Sequence, residues 1–351
     1  MNNKIAIIAG ARPNFMKVAP LCRELDRQKM PYILINTGQH FSSTMAGAFL
    51  KEFKLKPNYS LKPSQQSSAQ QMCDIKAGLE RIFTKEHPSM VIVVGDVNST
   101  LWAAQVAHKI KIKLAHIEAG LRSRNLKMPE ERNRIKTDAL SDILFVTQED
   151  GTKNLRKEKV RGKAYFVGNI MIDTLKLFAS RAKHSVKDKK YYFCTLHRAE
   201  NVDNKNIFAD IVSTLETISQ DAPIYLPLHP RTKKQAEKFG LMSALKRACH
   251  LLPPLSYAES VSYQKYAQLV LTDSGGVQEE TSFLGVPCLT LRTETERPIT
   301  VSEGTNTIAG VTKKSILKAY ASVNFSRRSA KIKYWDGKTS KRIVDIIKKN
   351  V

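Results

Sequence analysis

Short runs of β-branched and aromatic residues alternate along this chain with longer segments of helical periodicity, and this alternation constrains the fold more than any other feature. Strands separated by helices are expected to run parallel, because a parallel pair needs a long crossover connection. We therefore predict βαβ units stacked into doubly wound parallel sheets, an α/β fold. The predicted strands are Ile5–Ala9, Tyr32–Thr37, Val91–Gly95, Leu114–Glu118, Ile143–Val146, Tyr165–Val167, Tyr191–Leu196, Ile224–Leu228, Leu269–Thr272 and Cys288–Leu291. The predicted helices include Phe15–Gln28, Thr100–Lys109, Ile170–Ala182 and Lys338–Lys349.

The length of 351 residues exceeds what one compact core usually organises, so two domains are expected. The helix predicted at Ile170–Ala182 runs into the polar, lysine-rich segment Lys183–Lys190, and the boundary is expected near there. We predict an N-terminal Rossmann-like domain over residues 1–170 and a C-terminal one over residues 171–335, with the helix within residues 336–351 packing back on the first. Two such domains facing each other would place the loops that follow their strands around one central cleft.

The formal net charge of +25 favours an anionic partner, such as a nucleic acid, a membrane surface or an anionic substrate. The basic residues accompany no zinc finger, helix-turn-helix or aromatic-studded basic motif, so nucleic-acid binding is not predicted. The first apolar run, Ile5–Ala9, is too short to span a bilayer and precedes no cleavage site, so neither membrane insertion nor a signal peptide is expected. Five scattered cysteines without a C-x-x-C pair predict neither structural zinc nor a disulfide framework, and a cytoplasmic location is expected.

The loop Gly10–Lys17 leads from the first predicted strand into a helix. A glycine turn at a helix N-terminus can bind an anion through free N–H groups and the helix dipole, and Arg12 and Lys17 add full positive charges. The dinucleotide pattern G-x-G-x-x-G is absent, so neither NAD nor FAD is predicted. The alternative is an ordinary strand–helix turn with two surface cations.

Carboxylates follow two consecutive predicted strands in the first half of the chain. Asp96 comes after Val91–Gly95, Glu118 ends the next strand, and Glu130 lies a little further on. Carboxylates gathered beside cations are how a site separates the pKa values of acid and base partners. As alternatives, Asp96 could cap the following helix, and Glu130 and Glu131 could pair with nearby arginines.

In the second half of the chain, two histidines follow predicted strands and each lies close to an arginine. His197 and His229 could therefore hold a phosphate, and a histidine can also donate a proton near neutral pH. The segment Asp273–Glu280 predicts a strand end, a small-residue turn and a helix. The turn residues Ser274, Gly275 and Gly276 permit close approach of a phosphate, Glu280 could accept ribose hydroxyls, and Arg297 adds a further cation. The alternative is a tight turn whose backbone requires two glycines.

These motifs, taken in order, resemble the UDP-N-acetylglucosamine 2-epimerases of the nonhydrolysing type. The match extends over nearly the whole chain, from Ile5 to Lys338. The motifs that carry the resemblance are Gly10–Pro13 with Lys17, Thr37–His40, Gly95-Asp96, His116–Arg122, Pro129–Glu131, Gly168-Asn169, Leu196–Arg198, Asp273–Glu280, Thr295–Pro298 and Trp335–Lys338.

The resemblance implies a GT-B fold, usually as a homodimer, and interconversion of UDP-GlcNAc and UDP-ManNAc without metal, nicotinamide or any other cofactor. It further implies that UDP is eliminated to leave a glycal and is then added back with inversion at C2. The residues implied to bind UDP are Arg12, Lys17, His197, Ser274, Gly275, Gly276, Glu280 and Arg297. The acid–base carboxylates implied are Asp96, Glu118 and Glu130, with His197 assisting departure of the diphosphate.

Other substrates and outcomes stay open at this stage. Within the family the rivals are an epimerase of a UDP-diacetamido uronic acid, disfavoured by Arg297-Pro298, and a hydrolysing enzyme that releases ManNAc. Outside it, a GT-B glycosyltransferase and a non-catalytic nucleotide-sugar or RNA-binding protein remain. Substrate activation, known in many family members, is not predicted, because Gln39-His40 is followed by Phe41-Ser42 and Asp74 stands at the position of the activator-binding arginine.

Overall fold

The computed structural model describes residues 4–39, 43–184, 186–328 and 330–351, with the backbone alone at residues 12, 43–46 and 48. The chain forms two compact units. Unit 1 comprises Met1–Thr174 together with Lys333–Val351, and unit 2 comprises Leu175–Ile332. The sequence predicted these divisions after residues 170 and 335.

Unit 1 is built on a seven-stranded parallel sheet in the order β3-β2-β1-β4-β5-β6-β7. Its strands are β1 (Ile5–Ala9), β2 (Tyr32–Asn36), β3 (Tyr59–Ser60), β4 (Met90–Val94), β5 (Lys113–Ala119), β6 (Ile143–Val146) and β7 (Lys163–Phe166). The helices in this part of the chain are α1 (Arg12–Arg27), α2 (Ser43–Glu52), α3 (Ser68–Glu86), α4 (Asn98–Lys109), α5 (Pro129–Leu140), α6 (Glu149–Lys157) and α7 (Ile170–Arg181).

Unit 2 repeats the architecture with a six-stranded parallel sheet in the order β10-β9-β8-β11-β12-β13. Its strands are β8 (Tyr192–Thr195), β9 (Ile224–Pro227), β10 (His250–Leu252), β11 (Leu269–Thr272), β12 (Cys288–Thr290) and β13 (Asn306–Ile308). Its helices are α8 (Ala199–Val202), α9 (Lys205–Ile218), α10 (Pro230–Lys238), α11 (Met242–Ala248), α12 (Tyr257–Tyr266), α13 (Gly275–Leu284), α14 (Ile299–Ser302) and α15 (Lys313–Ala321).

The ten predicted strands are present, and the prediction of two doubly wound parallel sheets is confirmed. The central strands could be predicted from the sequence because both of their faces are buried, and such strands are apolar almost throughout. Three strands were not predicted: β3, β10 and β13. Each lies at a sheet edge and has only two or three residues, too few for a hydrophobic pattern.

The last helix, α16 (Thr339–Ile347), packs on α1 in unit 1. Its buried face carries Ile343, Val344 and Ile347. Asp173 holds its first turn, because the carboxylate accepts hydrogen bonds from the Thr339 N–H at 3.1 Å and from the Ser340 N–H and hydroxyl at 2.7 and 2.6 Å. Within the described ranges, none of the helices combines the length and apolarity needed to cross a bilayer.

Candidate active site

Glu118 occupies an unusual backbone position at the end of β5. The pairing of β5 with β6 shifts register between Ile117 and Ala119, and Glu118 has a φ of +76°. A left-handed conformation is costly for a residue with a side chain, and such residues cluster at functional sites. The carboxylate lies in the interior and forms an ion pair with Lys17 of α1, with side-chain exposures of 4% and 10%. The structure therefore brings together two predicted site residues that are 101 positions apart in sequence.

The turn before α1 differs from the prediction in one respect. The side-chain oxygen of Asn14 accepts hydrogen bonds from the backbone N–H groups of Gly10 and Ala11, at 3.1 and 3.0 Å. The amide of Asn14 donates in turn to the Val94 carbonyl at 2.9 Å. The expectation of free N–H groups in this turn is thus wrong for these two amides, because Asn14 already satisfies them. The side chain of Arg12 lies outside the described residues.

Asp96 follows β4 and pairs with Arg134 of α5. The N-cap of α4 is Val97, and no side chain caps that helix, so the alternative that Asp96 serves as its cap is wrong. The Asn133 amide donates to the Asp96 carbonyl at 3.0 Å and so fixes the loop backbone. The Asp96 side chain is 23% exposed, which leaves it accessible to a ligand.

The two glutamates at the start of α5 have different environments. Glu131 is buried and accepts hydrogen bonds from the N–H groups of Ser123 and Arg124 and from Arg134 at 3.0 Å, so its pairing with an arginine is confirmed. Glu130 is exposed in the first turn of the helix. The carboxylate of Glu130 is therefore the one of the two that is open to a substrate.

A buried histidine that was not among the predicted site residues connects these loops. His116 of β5 contacts the Asp138 carboxylate through Nδ1 at 2.7 Å and the Gly95 carbonyl through Nε2 at 2.8 Å. The other Asp138 oxygen accepts from the Gly120 N–H at 3.0 Å and pairs with Arg122 at 2.7 Å. Burial alone would raise the pKa of Asp138, but the hydrogen bonds and charges of His116 and Arg122 outweigh it and lower that pKa. His116 lay inside a quoted motif, but sequence does not show which strand-interior histidine has a carboxylate partner.

In unit 2, His197 follows β8 and is held by the buried Asp273. Its Nδ1 lies 3.1 Å from one Asp273 oxygen, and the other oxygen accepts from the N–H groups of His197 and Arg198 at 2.9 and 2.8 Å. Burial would raise the pKa of Asp273, but His197 and these amides lower it, so Asp273 is a carboxylate. The His197 side chain remains 37% exposed. An imidazole oriented through Nδ1 by a carboxylate presents its other nitrogen for proton transfer.

His229 lies beside this histidine, with ring centroids 5.5 Å apart. It is the N-cap of α10, where its Nδ1 accepts the Arg231 N–H at 3.2 Å. The structure therefore groups His197, His229 and the buried Asp273 at the carboxyl ends of β8, β9 and β11, as the sequence predicted for the two histidines.

The turn at the start of α13 does not require its two glycines. Neither Gly275 nor Gly276 has a positive φ. A Cβ added at Gly275 would meet nothing closer than Glu296 at 3.8 Å, and one added at Gly276 nothing closer than Ser274 at 4.0 Å. No side chain caps this helix N-terminus. The alternative of a turn that needs glycine is thus wrong, and the bare backbone leaves room for a ligand to approach it closely.

Two further predicted residues of unit 2 contact charged or polar neighbours. Arg297 pairs through Nε with Glu279 of α13 at 2.7 Å, which places its guanidinium next to that helix. Glu280, also of α13, is buried and accepts a hydrogen bond from Gln264 at 2.7 Å. Glu279 orients Arg297 and Gln264 orients Glu280, and side chains held in this way suit the recognition of a ligand.

Arg292 and Glu296 form a buried, bidentate ion pair in the same unit, with nitrogen–oxygen distances of 2.9 and 3.3 Å. Burial would raise the pKa of Glu296, but the hydrogen bonds and charge of Arg292, together with Arg297, lower it from 4.5 to about 2. Because the pKa is lower in the folded chain, the pair stabilises the fold above about pH 4.5. This stabilisation is lost as the pH falls toward about 2.

We expect Glu296→Gln to lower the thermal unfolding temperature at pH 7 by roughly 5–10 °C. The lowered pKa corresponds to roughly 3 kcal/mol, at about 1.4 kcal/mol for each pH unit. Scanning calorimetry of both proteins from pH 7 to pH 2.5 should show the difference shrinking as the pH falls. Glu216→Gln is the control, because the Glu216–Arg247 pair is mostly exposed and should contribute little. A difference that stays constant with pH would contradict the expectation.

Comparison with known proteins decides the family. A sequence profile described as UDP-N-acetylglucosamine 2-epimerase matches residues 23–348. The chain belongs to the UDP-N-acetylglucosamine 2-epimerase family. It is thus an enzyme of the isomerase class, and the resemblance inferred from the motifs is confirmed.

Two relatives of this UDP-N-acetylglucosamine 2-epimerase family member carry different substrate names. A UDP-N-acetylglucosamine 2-epimerase of Methanocaldococcus jannaschii is 39% identical, over 98% of each chain. A UDP-2,3-diacetamido-2,3-dideoxy-D-glucuronate 2-epimerase of Pseudomonas aeruginosa is 38% identical, over 99% of each chain. Overall identity therefore does not separate the two substrates.

A solved structure of the family confirms the predicted GT-B fold class of the chain. The crystal structure of Methanocaldococcus jannaschii UDP-GlcNAc 2-epimerase, in complex with UDP-GlcNAc and UDP, matches with a TM-score of 0.90 at 38% identity and covers 99% of each chain. That relative binds both the nucleotide sugar and the nucleotide.

Proposed function

We propose that this epimerase interconverts UDP-GlcNAc and UDP-ManNAc. The observation that supports it best is the pair of carboxylates after the adjacent strands β4 and β5, each beside its own cation. Asp96 pairs with Arg134 at a partly exposed position, whereas Glu118 pairs with Lys17 in the interior. Two carboxyl groups in different environments suit proton removal from one face of a carbon and delivery to the other.

The reaction requires an indirect route, because no carbonyl group adjoins C2 and its proton is not acidic. Breaking the bond between C1 and the UDP oxygen develops positive charge at C1 and so acidifies the C2 proton. Loss of that proton gives a 1,2-unsaturated glycal, with UDP leaving as the anion. Addition of UDP back to C1, with a proton delivered to the opposite face of C2, gives the epimer. The atoms and electrons balance without an external reductant or oxidant.

Stabilising the departing UDP falls to groups that meet negative charge. The N-terminus of α13 suits a phosphate, because the turn does not itself require the two glycines there. The cationic side chains of Arg12, Lys17 and Arg297 also suit a phosphate. We assign His197, oriented by Asp273, to proton transfer at the leaving diphosphate oxygen. The residues proposed to bind UDP are Arg12, Lys17, His229, Ser274, Gly275, Gly276, Glu280 (on the ribose) and Arg297.

Asp96, Glu118 and Glu130 are proposed to handle the C2 proton. Glu118 lies in the interior at the end of β5, where its ion pair with Lys17 fixes the position of the carboxylate. Glu130 is exposed and Asp96 partly so, which allows either to exchange its proton with solvent. The assignment of one carboxylate to each face of the sugar follows from which epimer, UDP-GlcNAc or UDP-ManNAc, still exchanges its C2 hydrogen with D₂O in each variant.

Incorporation of deuterium from D₂O is the experiment that tests this proposal. Purified enzyme incubated with UDP-GlcNAc in D₂O should yield UDP-ManNAc with deuterium at C2, detected by NMR. Epimerisation without deuterium would overturn the elimination route. Free ManNAc as the main product would indicate a hydrolysing enzyme, and turnover only with an added acceptor would indicate a glycosyltransferase.

The substrate is assigned from Arg297-Pro298, which favours UDP-GlcNAc over the UDP-diacetamido uronate of the Pseudomonas aeruginosa relative. Parallel assays with both nucleotide sugars test this assignment. A higher kcat/KM for the uronate would overturn it and leave the mechanism intact. We further propose a homodimer located in the cytoplasm and no binding of nucleic acid. Gel filtration and a salt-dependent gel-shift assay test the assembly state and the nucleic-acid statement.

A further inference from the structure

We propose that His116 and Asp138 form a positioning pair that holds both carboxylate loops of unit 1 in their reactive arrangement. The proposal rests on the proposed function, since it concerns the geometry of Asp96 and Glu118. It assigns to these two buried residues a role in turnover without contact to the substrate.

The pair contacts the backbone on either side of the two carboxylates. His116 Nε2 lies 2.8 Å from the carbonyl of Gly95, the residue directly before Asp96. The Asp138 carboxylate accepts the N–H of Gly120, two residues after Glu118, at 3.0 Å. A single side-chain contact, His116 to Asp138 at 2.7 Å, thus links the loop after β4 to the loop after β5.

Those loops need support from outside themselves. Gly95, Glu118 and Gly120 all have left-handed backbones, with φ values of +70°, +76° and +80°. A conformation of this kind persists in a residue such as Glu118 only where the surrounding structure enforces it. His116 and Asp138 are both fully buried, so water does not compete for their hydrogen bonds.

The hydrogen-bond partners define the protonation of the pair. A carbonyl oxygen can only accept, so Nε2 of His116 carries a hydrogen towards Gly95. Asp138 is a carboxylate that also accepts, so Nδ1 carries a hydrogen as well. Arg122 pairs with Asp138 on one side and with Glu158 at 2.6 Å on the other.

Three substitutions separate the two halves of the link. In His116→Asn the amide can take the place of Nδ1 and keep the bond to Asp138, whereas the bond to Gly95 is lost. In His116→Gln the amide can instead take the place of Nε2 and keep the bond to Gly95. In Asp138→Asn a neutral pair is possible, since the amide N–H donates to a neutral Nδ1, Nε2 still donates to Gly95, and the amide oxygen accepts from Gly120.

We expect kcat for epimerisation to fall roughly 100-fold in His116→Asn and in His116→Gln, with KM changed less than about threefold. Asp138→Asn should retain kcat within about tenfold of wild type, because it preserves both backbone links. Binding of UDP, measured by calorimetry, should be unchanged in all three variants. A loss of stability alone would not produce a fall in kcat without a change in KM, nor the near-normal kcat expected for Asp138→Asn.

Asp173→Asn is the control, because Asp173 is a partly buried carboxylate of unit 1 that accepts three hydrogen bonds. It should lower the unfolding temperature and leave kcat unchanged at temperatures where the protein is folded. Equal losses of kcat in this control and in the His116 variants would overturn the proposal, as would wild-type kcat in folded His116→Asn. If the His116 variants fail to fold, a 100-fold loss in Asp138→Asn overturns it and near-normal kcat supports it. Wild-type enzyme without epimerase activity would instead refute the proposed function itself.

Discussion

Glu118→Gln and Asp96→Asn should each reduce epimerisation by roughly 100-fold to 10,000-fold, the range associated with loss of a positioned acid or base. Each replacement keeps the size of the side chain and removes its ability to carry a proton to or from C2. Binding of UDP should persist, because the groups proposed to hold it on α13 and at His197 are unaltered. Steady-state rates and calorimetric titration with UDP measure the two properties separately.

Glu80→Gln is a suitable control for both, since it also removes a carboxylate from an ion pair, with Lys109 at 2.8 Å on the surface of unit 1. Its activity should match that of wild type. Glu118→Gln also leaves Lys17 with a buried charge, so circular dichroism must accompany the rates. A folded variant of either residue that turns over normally would show its catalytic assignment to be wrong.

Gly275→Ala and Gly276→Ala should each weaken UDP binding about 100-fold or more while leaving the protein at least as stable as wild type. A methyl group at either position meets no protein atom within 3.8 Å, so its steric effect falls on the ligand. Alanine also stabilises a helix relative to glycine by roughly 0.5–1 kcal/mol. Loss of affinity combined with unchanged or higher stability would be difficult to explain except by a phosphate seated against this backbone.

Gly47→Ala supplies the comparison, because Gly47 lies within α2 and a Cβ there has nothing within 4 Å. It should show the same gain in stability with no change in UDP affinity. Wild-type affinity in both α13 variants would place the diphosphate elsewhere. Gly285→Ala should lower the stability of the protein, in contrast to the other three variants. Gly285 has a φ of +71°, and alanine there strains the backbone.

The fold was predictable wherever one segment of sequence determines one element. A buried central strand such as Met90–Val94 must be apolar throughout, and such an apolar run can be recognised in the sequence. Edge strands such as Tyr59–Ser60 form because a neighbouring strand offers unpaired backbone groups. That cause lies outside the segment, so a local pattern does not reveal it.

The loops that form the candidate site could be predicted from the sequence, but the ion pairs within it could not. Carboxylates at strand ends were identified because parallel strands all end at one edge of their sheet. Sequence spacing does not indicate that Glu118 pairs with Lys17, or that Asp96 pairs with Arg134 rather than capping a helix. These pairings depend on packing between elements far apart in the chain.

The activator motif shows the same limit. Gln39 accepts the Ser99 N–H at 2.7 Å, and Asp74 accepts the Ser64 N–H at 2.8 Å, so both serve the packing of unit 1. His40, Phe41 and Ser42 lie outside the described residues. The absence of substrate activation stays a prediction.

The chain leaves unit 1 after Thr174 and returns to it at Lys333, which has a consequence for biosynthesis. Domains usually fold in the order in which the ribosome makes them, the N-terminal one first. Here the whole of Leu175–Ile332 is translated before α16, whose apolar face completes the packing against α1. Unit 2 can thus fold while the surface of unit 1 that α16 covers is still exposed. Unit 1, which carries the carboxylates, is therefore the last to be protected from proteases and aggregation.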